Sequence, residues 1–215
     1  MLFRSLTALV DARRGVDCSA ADLDLLDRRG GRLLTPDDEE WPHLAFGAFD
    51  ALRGEPGCEA DAPLVLWVLG PARVDDVAQR AAAIVGTRAS TAYGDMLAGD
   101  FAAGLVDAGM AVVSGAAYGI EGAAHRSAMA RDGVTVAVLA TGLDVPYPSG
   151  HSALLHRISQ TGALVTEYPP GVRPARPRLL LRNLLVAALS RSTVVIEAGV
   201  RSGATYTASC ARMLG

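Results

Sequence analysis

The sequence predicts a doubly wound, mostly parallel α/β sheet, and three observations favour that fold class. From residue 63 onward, short apolar runs alternate with stretches of helical periodicity. The apolar runs are continuous, which indicates strands buried on both faces of a parallel sheet. Hydrophobic residues make up 50% of the chain but aromatic residues only 5%. Small and branched aliphatic side chains must therefore pack the helices against the strands.

The elements follow one another in a regular order. Runs of strand length lie at 64–69, 82–85, 110–113, 134–139, 163–166 and 193–196. Helical patterns lie between and after them, at 92–107, 122–131, 152–160, 182–189 and 204–214. Strands that alternate with helices form right-handed βαβ units. The Pro- and Arg-rich segment 169–177 is predicted to be an extended surface loop.

The first 60 residues differ from the rest of the chain. They are rich in charge and contain glycine-rich breaks at 30–31 and 54–57. Short helical patterns such as 20–28 predict a small helical segment over 1–60, followed by the sheet-forming unit over 61–215. The first 14 residues are predicted to form an amphipathic helix, since Asp11 and three arginines interrupt their apolar run. The sequence stops directly after a helical pattern, so we expect a truncated form of a longer protein.

Composition excludes several classes of protein. No apolar run reaches the length of a membrane span, and no signal peptide is recognisable, so we expect a soluble cytoplasmic protein. Three widely spaced cysteines (Cys18, Cys58 and Cys210) are predicted to be free thiols rather than metal ligands. The net charge of -3 argues against a surface that is positive throughout, but not against a local basic groove. The positive charge is carried by arginine, whose planar fork suits phosphate.

The loops after the strands form the candidate site, because ligands of open parallel sheets bind at the carboxyl ends of the strands. After the second strand, Gly86 permits close backbone approach, and Ser90 or Thr91 can cap the following helix. The N-terminus of that helix and Arg88 can then bind an anion. The other loops contribute Ser114, Gly115, Tyr118 and Gly119, then Glu167, and then Glu197, Ser202 and Gly203. A single loop of this kind is commonly only a tight turn. Here, however, five consecutive strands are each followed by glycine, serine, threonine or charged residues at the same rim.

Common enzyme motifs are missing from the sequence. It has no GxGxxG after the first strand, no GxxxxGK[ST] and no GxSxG, which removes the usual basis for a nucleotide cofactor or a serine nucleophile. His125 could pack, cap a helix or act in catalysis, whereas His151 and His156 are predicted to lie on the surface. Glu167 and Glu197 could hold a ribose hydroxyl, act as acid and base, or pair with Arg182 or Arg88.

These loops, in this order, resemble those of the DNA-processing protein A family, also called Smf. The matching residues are 83–88 with Ser90, Tyr93 and Gly94; 113–115 with Gly119, Ile120, Ala124 and His125; 138–144 with Tyr147 and Pro148; 167–170; Arg182 and Asn183 with Ala187, Leu189 and Ser190; and 195–198 with Ser202, Gly203, Thr207 and Ala208. The segments 34–36, 41–42 and 63–66 resemble the approach to the Rossmann-like core of that family. The resemblance covers residues 33–214.

The resemblance implies a protein that binds single-stranded DNA and loads a RecA-type recombinase during natural transformation, with no catalytic reaction and no cofactor. It implies that Arg88 and the backbone amides around Gly86, Thr87 and Ser90 contact DNA phosphates. Ser114, Gly115, Arg182 and Asn183 would complete the groove. Tyr118, Gly119, Ser202 and Gly203 belong to the same implied surface, with His125, Glu167, Glu197 and Thr207 in support.

The sequence also departs from the pattern of the family. The family usually has arginine at Tyr118 and at Leu184, aspartate at Glu121, and phenylalanine near Leu179. Tyr118 could stack on a base instead, while Arg173, Arg176 and Arg178 could restore charge. These departures keep open a second hypothesis, a small-molecule nucleotide sensor, and a third, a nucleotide hydrolase that uses Glu167 or Glu197. The resemblance also implies a homodimer. The strand that closes the sheet in the family is not found in this sequence, which argues against the dimer here.

Overall fold

The computed structural model describes residues 17–52 and 61–215. The helix predicted over the first 14 residues, the glycine-rich break at 54–57 and Cys58 lie outside these ranges. Among the described residues, neither Cys18, which is exposed, nor Cys210, which is buried, forms a disulfide. No helix within the described ranges is long and apolar enough to cross a bilayer.

The strands of the described residues form one seven-stranded sheet. They are β1 (Gly31–Leu34), β2 (Leu66–Leu69), β3 (Ala81–Gly86), β4 (Ala111–Ser114), β5 (Thr135–Val138), β6 (Ala163–Thr166) and β7 (Ser192–Ile196). Their order across the sheet is β1-β2-β6-β5-β4-β3-β7. Strands β3 to β7 are parallel to one another, while β2 is antiparallel to both β1 and β6. The predicted mostly parallel α/β sheet is confirmed.

Helices cover both faces of this sheet. They are α1 (Ser19–Arg28), α2 (His43–Leu52), α3 (Val74–Gln79), α4 (Ala92–Asp107), α5 (Ile120–Ala130), α6 (Ser152–Thr161), α7 (Arg176–Ala188) and α8 (Gly203–Leu214). Neighbouring residues of β3 show the two-sided burial: Val85 packs in the cluster that contains α2, α3, α7 and α8, and Ile84 in the cluster that contains α4 and α5. Both are almost completely buried. This explains why the strands read as continuous apolar runs in the sequence.

Three predictions about individual elements were wrong. The segment predicted as a small helical unit also contains β1, which pairs with β2 at the edge of the sheet. The run at 64–69 was expected to start the parallel series, but β2 runs antiparallel to its neighbours. The segment predicted as a loop up to residue 177 already contains the first turn of α7, which starts at Arg176. Pro177 fits there because the first turn of a helix needs no amide donors within the helix.

The order of the strands defines the functional edge. The chain runs from β3 outward through β4, β5 and β6, and then returns to β7 on the other side of β3. The carboxyl ends of β3 and β7 therefore flank the point where the winding direction reverses. This switch point is where doubly wound sheets bind their ligands.

Candidate functional site

The loops after β3 and β7 lie against each other at the switch point. A Cβ atom at Gly86 would overlap the main-chain oxygen of Ile196, so only glycine permits this approach. The amide of Thr87 donates to the main-chain oxygen of Glu197 at 2.7 Å. A Cβ at Gly119 would likewise overlap the main-chain oxygen of Thr87, which brings the β4 loop to the same place. The glycines singled out in the sequence therefore bring three loops together at one rim.

The N-terminus of α4 has an internal partner rather than a free anion site. Thr91 caps this helix, as predicted, by accepting a bond from the Gly94 amide at 3.0 Å. The Glu197 carboxylate accepts from the amide and the hydroxyl of Thr91, at 2.8 and 2.5 Å. Ser90 donates its hydroxyl to Asp95 at 2.5 Å. Of the alternatives left open for Glu197, an ion pair with an arginine is not found among the described residues. The Glu197 carboxylate instead occupies the positive end of this helix.

Arg88 lies on the exposed part of the same loop. It takes part in none of the ion pairs formed by the described residues. The Gly119 position approaches its main-chain carbonyl group, so the loops after β3 and β4 meet beside it. Its guanidinium group is therefore available at the rim to an external anion.

Arg182 reaches the rim from α7 and is only 4% exposed. Its Nη1 atom donates to the main-chain oxygens of Gly115 at 2.5 Å and Val138 at 2.7 Å, at the ends of β4 and β5. Its Nε atom donates to Oδ1 of Asn183 at 3.2 Å, and Asn183 in turn donates to the main-chain oxygen of Gly203 at 3.2 Å. A Cβ at Gly115 would overlap the guanidinium group. Arg182 and Asn183 thus connect α7 to two strand ends and to the start of α8.

The positive charge of Arg182 lacks a direct carboxylate partner within the described ranges. Burial lowers the pKa of Arg182, Glu121 and Tyr147 oppose that shift, and Arg88 adds to it. Glu121 is itself buried and accepts from the Ala117 amide at 2.8 Å. A buried guanidinium that bonds to carbonyl dipoles retains a net positive charge. The rim therefore carries two guanidinium groups, those of Arg88 and Arg182, together with the carboxylate of Glu121.

Two other predicted site residues are buried and turned inward. The Ser114 hydroxyl donates to the main-chain oxygen of Ile84 at 2.6 Å, and its side chain is fully buried. Thr207 is 1% exposed and bonds to the main-chain oxygen of Gly203 at 3.0 Å. The Ser114 hydroxyl therefore bonds β4 to β3 inside the sheet and does not face an open groove. The part of Ser114 in the groove stays a prediction.

His125 is a fully buried neutral residue of the core. Its Nδ1 atom lies 2.7 Å from the Thr135 hydroxyl, which itself donates to the main-chain oxygen of Val112 at 2.9 Å. Because the Thr135 hydroxyl already donates its hydrogen to Val112, its oxygen must accept a hydrogen bond from the ring. Nδ1 of His125 therefore carries the hydrogen, and Nε2 is unprotonated. Burial, with help from His151, Arg126 and Arg182, lowers the pKa of His125 to about 3. These contacts favour the packing interpretation over the catalytic one.

His151 was expected on the surface but is buried, which is a correction to the sequence prediction. Its Nδ1 atom donates to the main-chain oxygen of Ala116 at 2.9 Å. Its ring meets that of Tyr118 edge-on, with 4.7 Å between the centroids. The Tyr118 side chain is 45% exposed, and its hydroxyl accepts from the Gly150 amide at 3.2 Å. The structure therefore holds one exposed aromatic ring at the rim in a fixed orientation, and no local sequence signal revealed the role of His151.

The remaining predicted residues lie around this centre. Ser202 caps α8 in a reciprocal capping box with Thr205, and Gly203 opens that helix. Glu167 is partly buried, which raises its pKa, and it joins none of the ion pairs of the described residues. His156 is exposed, as predicted.

A basic segment lies beside the rim, at the start of α7. Arg173 and Arg176 are exposed, and Arg178 lies over the Tyr168 ring, with 5.7 Å between its Cζ atom and the ring centroid. The first turn of α7 has no acidic residue. Within residues 17–52 and 61–215, no group of three or more His, Cys, Asp or Glu side chains could hold a metal ion. Three arginines therefore lie together at the start of α7.

Comparison with known proteins identifies the family. The family model described as DNA recombination-mediator protein A matches residues 32–215. The chain belongs to this family. A relative from Mycobacterium tuberculosis, named for the DNA processing protein DprA, is 65% identical over 204 residues, which are 95% of this chain and 52% of the relative. The chain thus spans about half the length of that DprA relative.

Two solved DprA structures share the fold. The X-ray structure of DprA from Streptococcus pneumoniae aligns with a TM-score of 0.78 at 30% identity, over 94% of this chain and 65% of that one. A structure of DprA from Helicobacter pylori, described as showing a single-stranded DNA binding mode, aligns with a TM-score of 0.71 at 28% identity, over 86% and 77%. The resemblance to the DprA family and the Rossmann-like fold predicted from the loops are both confirmed.

Proposed function

We propose that this chain binds single-stranded DNA along the rim formed by the loops after β3, β4 and β7. The single observation that carries the proposal is Arg182, a buried guanidinium group that bonds to main-chain carbonyls and lacks an ion-pair partner within the described ranges. Burying such a charge is costly, and because the pKa of Arg182 is still lowered, the nearby Glu121 carboxylate offsets only part of that cost. An anion bound at the surface would offset more of it. A phosphate of a nucleic-acid backbone is the anion that the family of this chain suggests.

Exposed arginines extend this positive charge along the surface. Arg88 is exposed beside the switch point. Arg173 precedes α7, and Arg176 is the first residue of that helix. A track of separated charges suits a chain of phosphates better than one small anion. The Thr87 amide is already bonded to Glu197, so the backbone amides of Gly86 and Ser90 are the ones that remain proposed phosphate contacts.

Exposed apolar groups stand beside the charges. Tyr118 is 45% exposed, and Leu180 and Leu181, on the first half of α7, are 41% and 51% exposed. Unpaired bases stack on aromatic rings and pack against apolar side chains, whereas the bases of a duplex are hidden. This combination favours a single strand over duplex DNA.

The wider role follows from the family rather than from a contact seen in this chain. We propose that the chain acts as a recombination mediator that delivers DNA to a RecA-type recombinase in the cytoplasm, as in natural transformation, without catalysis of its own. A homodimer is part of the same proposal, and light scattering on the purified chain tests it. Glu167→Gln and Glu197→Gln variants assayed for release of base or phosphate from nucleotides test the absence of catalysis.

The decisive experiment is an anisotropy titration with a fluorescently labelled oligothymidylate at several salt concentrations. We expect salt-dependent binding that Arg88→Ala weakens, with a reduction of about one unit in the slope of log affinity against log salt. Arg131→Ala is the matched control, because Arg131 follows α5 at the opposite edge of the sheet and pairs there with Asp107. This control removes the same charge and is expected to change affinity little.

Two outcomes would contradict the proposal. If free nucleotides bound and oligonucleotides did not, the rim would be the site of a small-molecule sensor. Equal losses in Arg88→Ala and Arg131→Ala would mean that only overall charge matters and that no track exists at the rim.

A further inference from the structure

A second recognition feature lies next to the rim. A cavity of about 560 Å³ opens beyond the β4 loop. Its lining includes Tyr118, Asp144, Tyr147 and Arg173, with the rings of Pro146 and Pro148. This volume is within the range of small-ligand sites, and the lining combines aromatic surface with both signs of charge. Because Tyr118 belongs to the β4 loop, a strand bound at the rim would pass the mouth of the cavity.

Tyr118 is held in place before any ligand arrives. Its hydroxyl accepts from the Gly150 amide, and its ring packs against that of His151 in a T-shaped arrangement. His151 is fixed in turn by its bond to Ala116. The ring is 45% exposed and is held by its contacts with Gly150 and His151. It can therefore stack on a base with little loss of side-chain entropy.

Asp144 supplies the hydrogen-bonding part of the cavity. One carboxylate oxygen, Oδ1, accepts from the Gly171 amide at 2.8 Å. The other, Oδ2, makes no hydrogen bond to any described residue. A carboxylate only accepts hydrogen bonds, so it favours a base edge with donors and disfavours one dominated by acceptors. Guanine offers two adjacent donors on its Watson–Crick edge, whereas thymine offers one donor between two carbonyl oxygens.

Arg173 completes the set at the exposed side of the cavity. Its guanidinium group is not used in an ion pair within the described ranges. It can contact the phosphate attached to the bound nucleotide. The cavity thus contains a stacking ring, an acceptor for the base and a cation for the phosphate.

We infer that this cavity is a subsite for one unpaired base of the bound strand and that it prefers guanine to thymine. The inference rests on the proposed binding of single-stranded DNA at the adjoining rim. It goes beyond that proposal because a track of arginines and amides has no base preference of its own.

Affinity for two oligonucleotides tests the subsite. One is a short oligothymidylate, and the other is the same strand with guanine at one central position. We expect about tenfold tighter binding of the guanine-containing strand, from a bidentate contact. Asp144→Asn keeps the oxygen that accepts from Gly171, and it should bring the affinities for the two strands to within about twofold of each other. Asp132→Asn, an exposed change at the opposite edge, is the control that should keep the preference.

Tyr118 has its own pair of variants. Tyr118→Ala should weaken both strands by about tenfold, through the loss of one stacked base. Tyr118→Phe keeps the ring and should retain most of the affinity. Equal binding of both strands by the unaltered chain, or a preference that survives Asp144→Asn, would overturn the inference while leaving DNA binding at the rim intact.

Two backbone amides provide a readout that does not depend on oligonucleotide binding. The Gly150 amide bonds to Tyr118, and the Gly171 amide bonds to Asp144. In a ¹H–¹⁵N NMR titration, deoxyguanosine monophosphate should shift both resonances more than thymidine monophosphate does. If oligonucleotides failed to bind, the proposed function would fall, and these shifts alone would decide whether the base subsite exists. No difference between the two mononucleotides would refute it.

Discussion

The buried imidazole of His125 predicts a specific loss of stability in mild acid. In the folded chain the pKa of His125 is lowered from 6.5 to about 3, chiefly by burial. As the pH falls below 6.5, the unfolded chain binds a proton that the folded chain excludes until about pH 3. Stability contributed by the neutral ring is therefore lost progressively over this window.

The size of the effect follows from these two values. Between pH 7.5 and 4.5, linkage gives a loss of about 3 kcal/mol in the free energy of unfolding from this one group. The assay is urea denaturation followed by circular dichroism at both pH values. His125→Asn is the test variant, because the Asn amide can replace the Nδ1 donor to Thr135 without titrating.

The comparison isolates His125 from the other titrating groups. We expect His125→Asn to be less stable at pH 7.5, since a smaller side chain leaves a cavity. On acidification it should lose about 3 kcal/mol less than the unaltered chain. Exposed His156 provides the control, and His156→Asn should show the full acid loss. If His125→Asn lost as much stability as the unaltered chain, the ring would not be neutral and buried, and the reasoning would be refuted.

Two further predictions concern the contacts that shape the rim. Gly115→Ala should destabilise the fold by about 1–3 kcal/mol in thermal unfolding and weaken DNA binding, because its Cβ would overlap the Arg182 guanidinium. The control is Gly104→Ala on α4, where the added Cβ meets open space. That variant should be neutral or stabilising in the same assay. Thr91→Ala should cost about 1 kcal/mol in thermal or urea unfolding, since it removes the α4 cap and the Glu197 contact, whereas Thr91→Ser should restore most of that loss. Unchanged stability in Gly115→Ala or in Thr91→Ala would contradict the corresponding contact.

Much of the architecture could be predicted because it depends on local patterns. Continuous apolar runs identified all five parallel strands to within one residue at each end, and the predicted bounds of α4 coincide with those observed. Thr91 could be recognised as a cap from its position before a helical pattern. These signals extend over only a few consecutive residues and can be read from the sequence without knowing the tertiary contacts.

Other features depend on groups that are distant in the sequence. Strand β1 was missed because four residues with little alternation become a strand only when β2 lies beside them. His151 appeared to be a surface residue because its neighbours are polar, yet Ala116 and Tyr118 enclose it. Neither environment leaves a periodic signal in the chain.

The sequence by itself determined the parallel α/β core, the rim of glycine-containing loops and the membership of a family. Only the tertiary structure decided which residues at that rim are available to a ligand. It turned Ser114 and His125 inward, used Glu197 to close the α4 terminus, and left Arg182 charged beneath the surface. The physical reason is that burial and hydrogen-bond partners are set by strands and helices that meet across the sheet, and no local stretch of sequence encodes which partner each polar group will find.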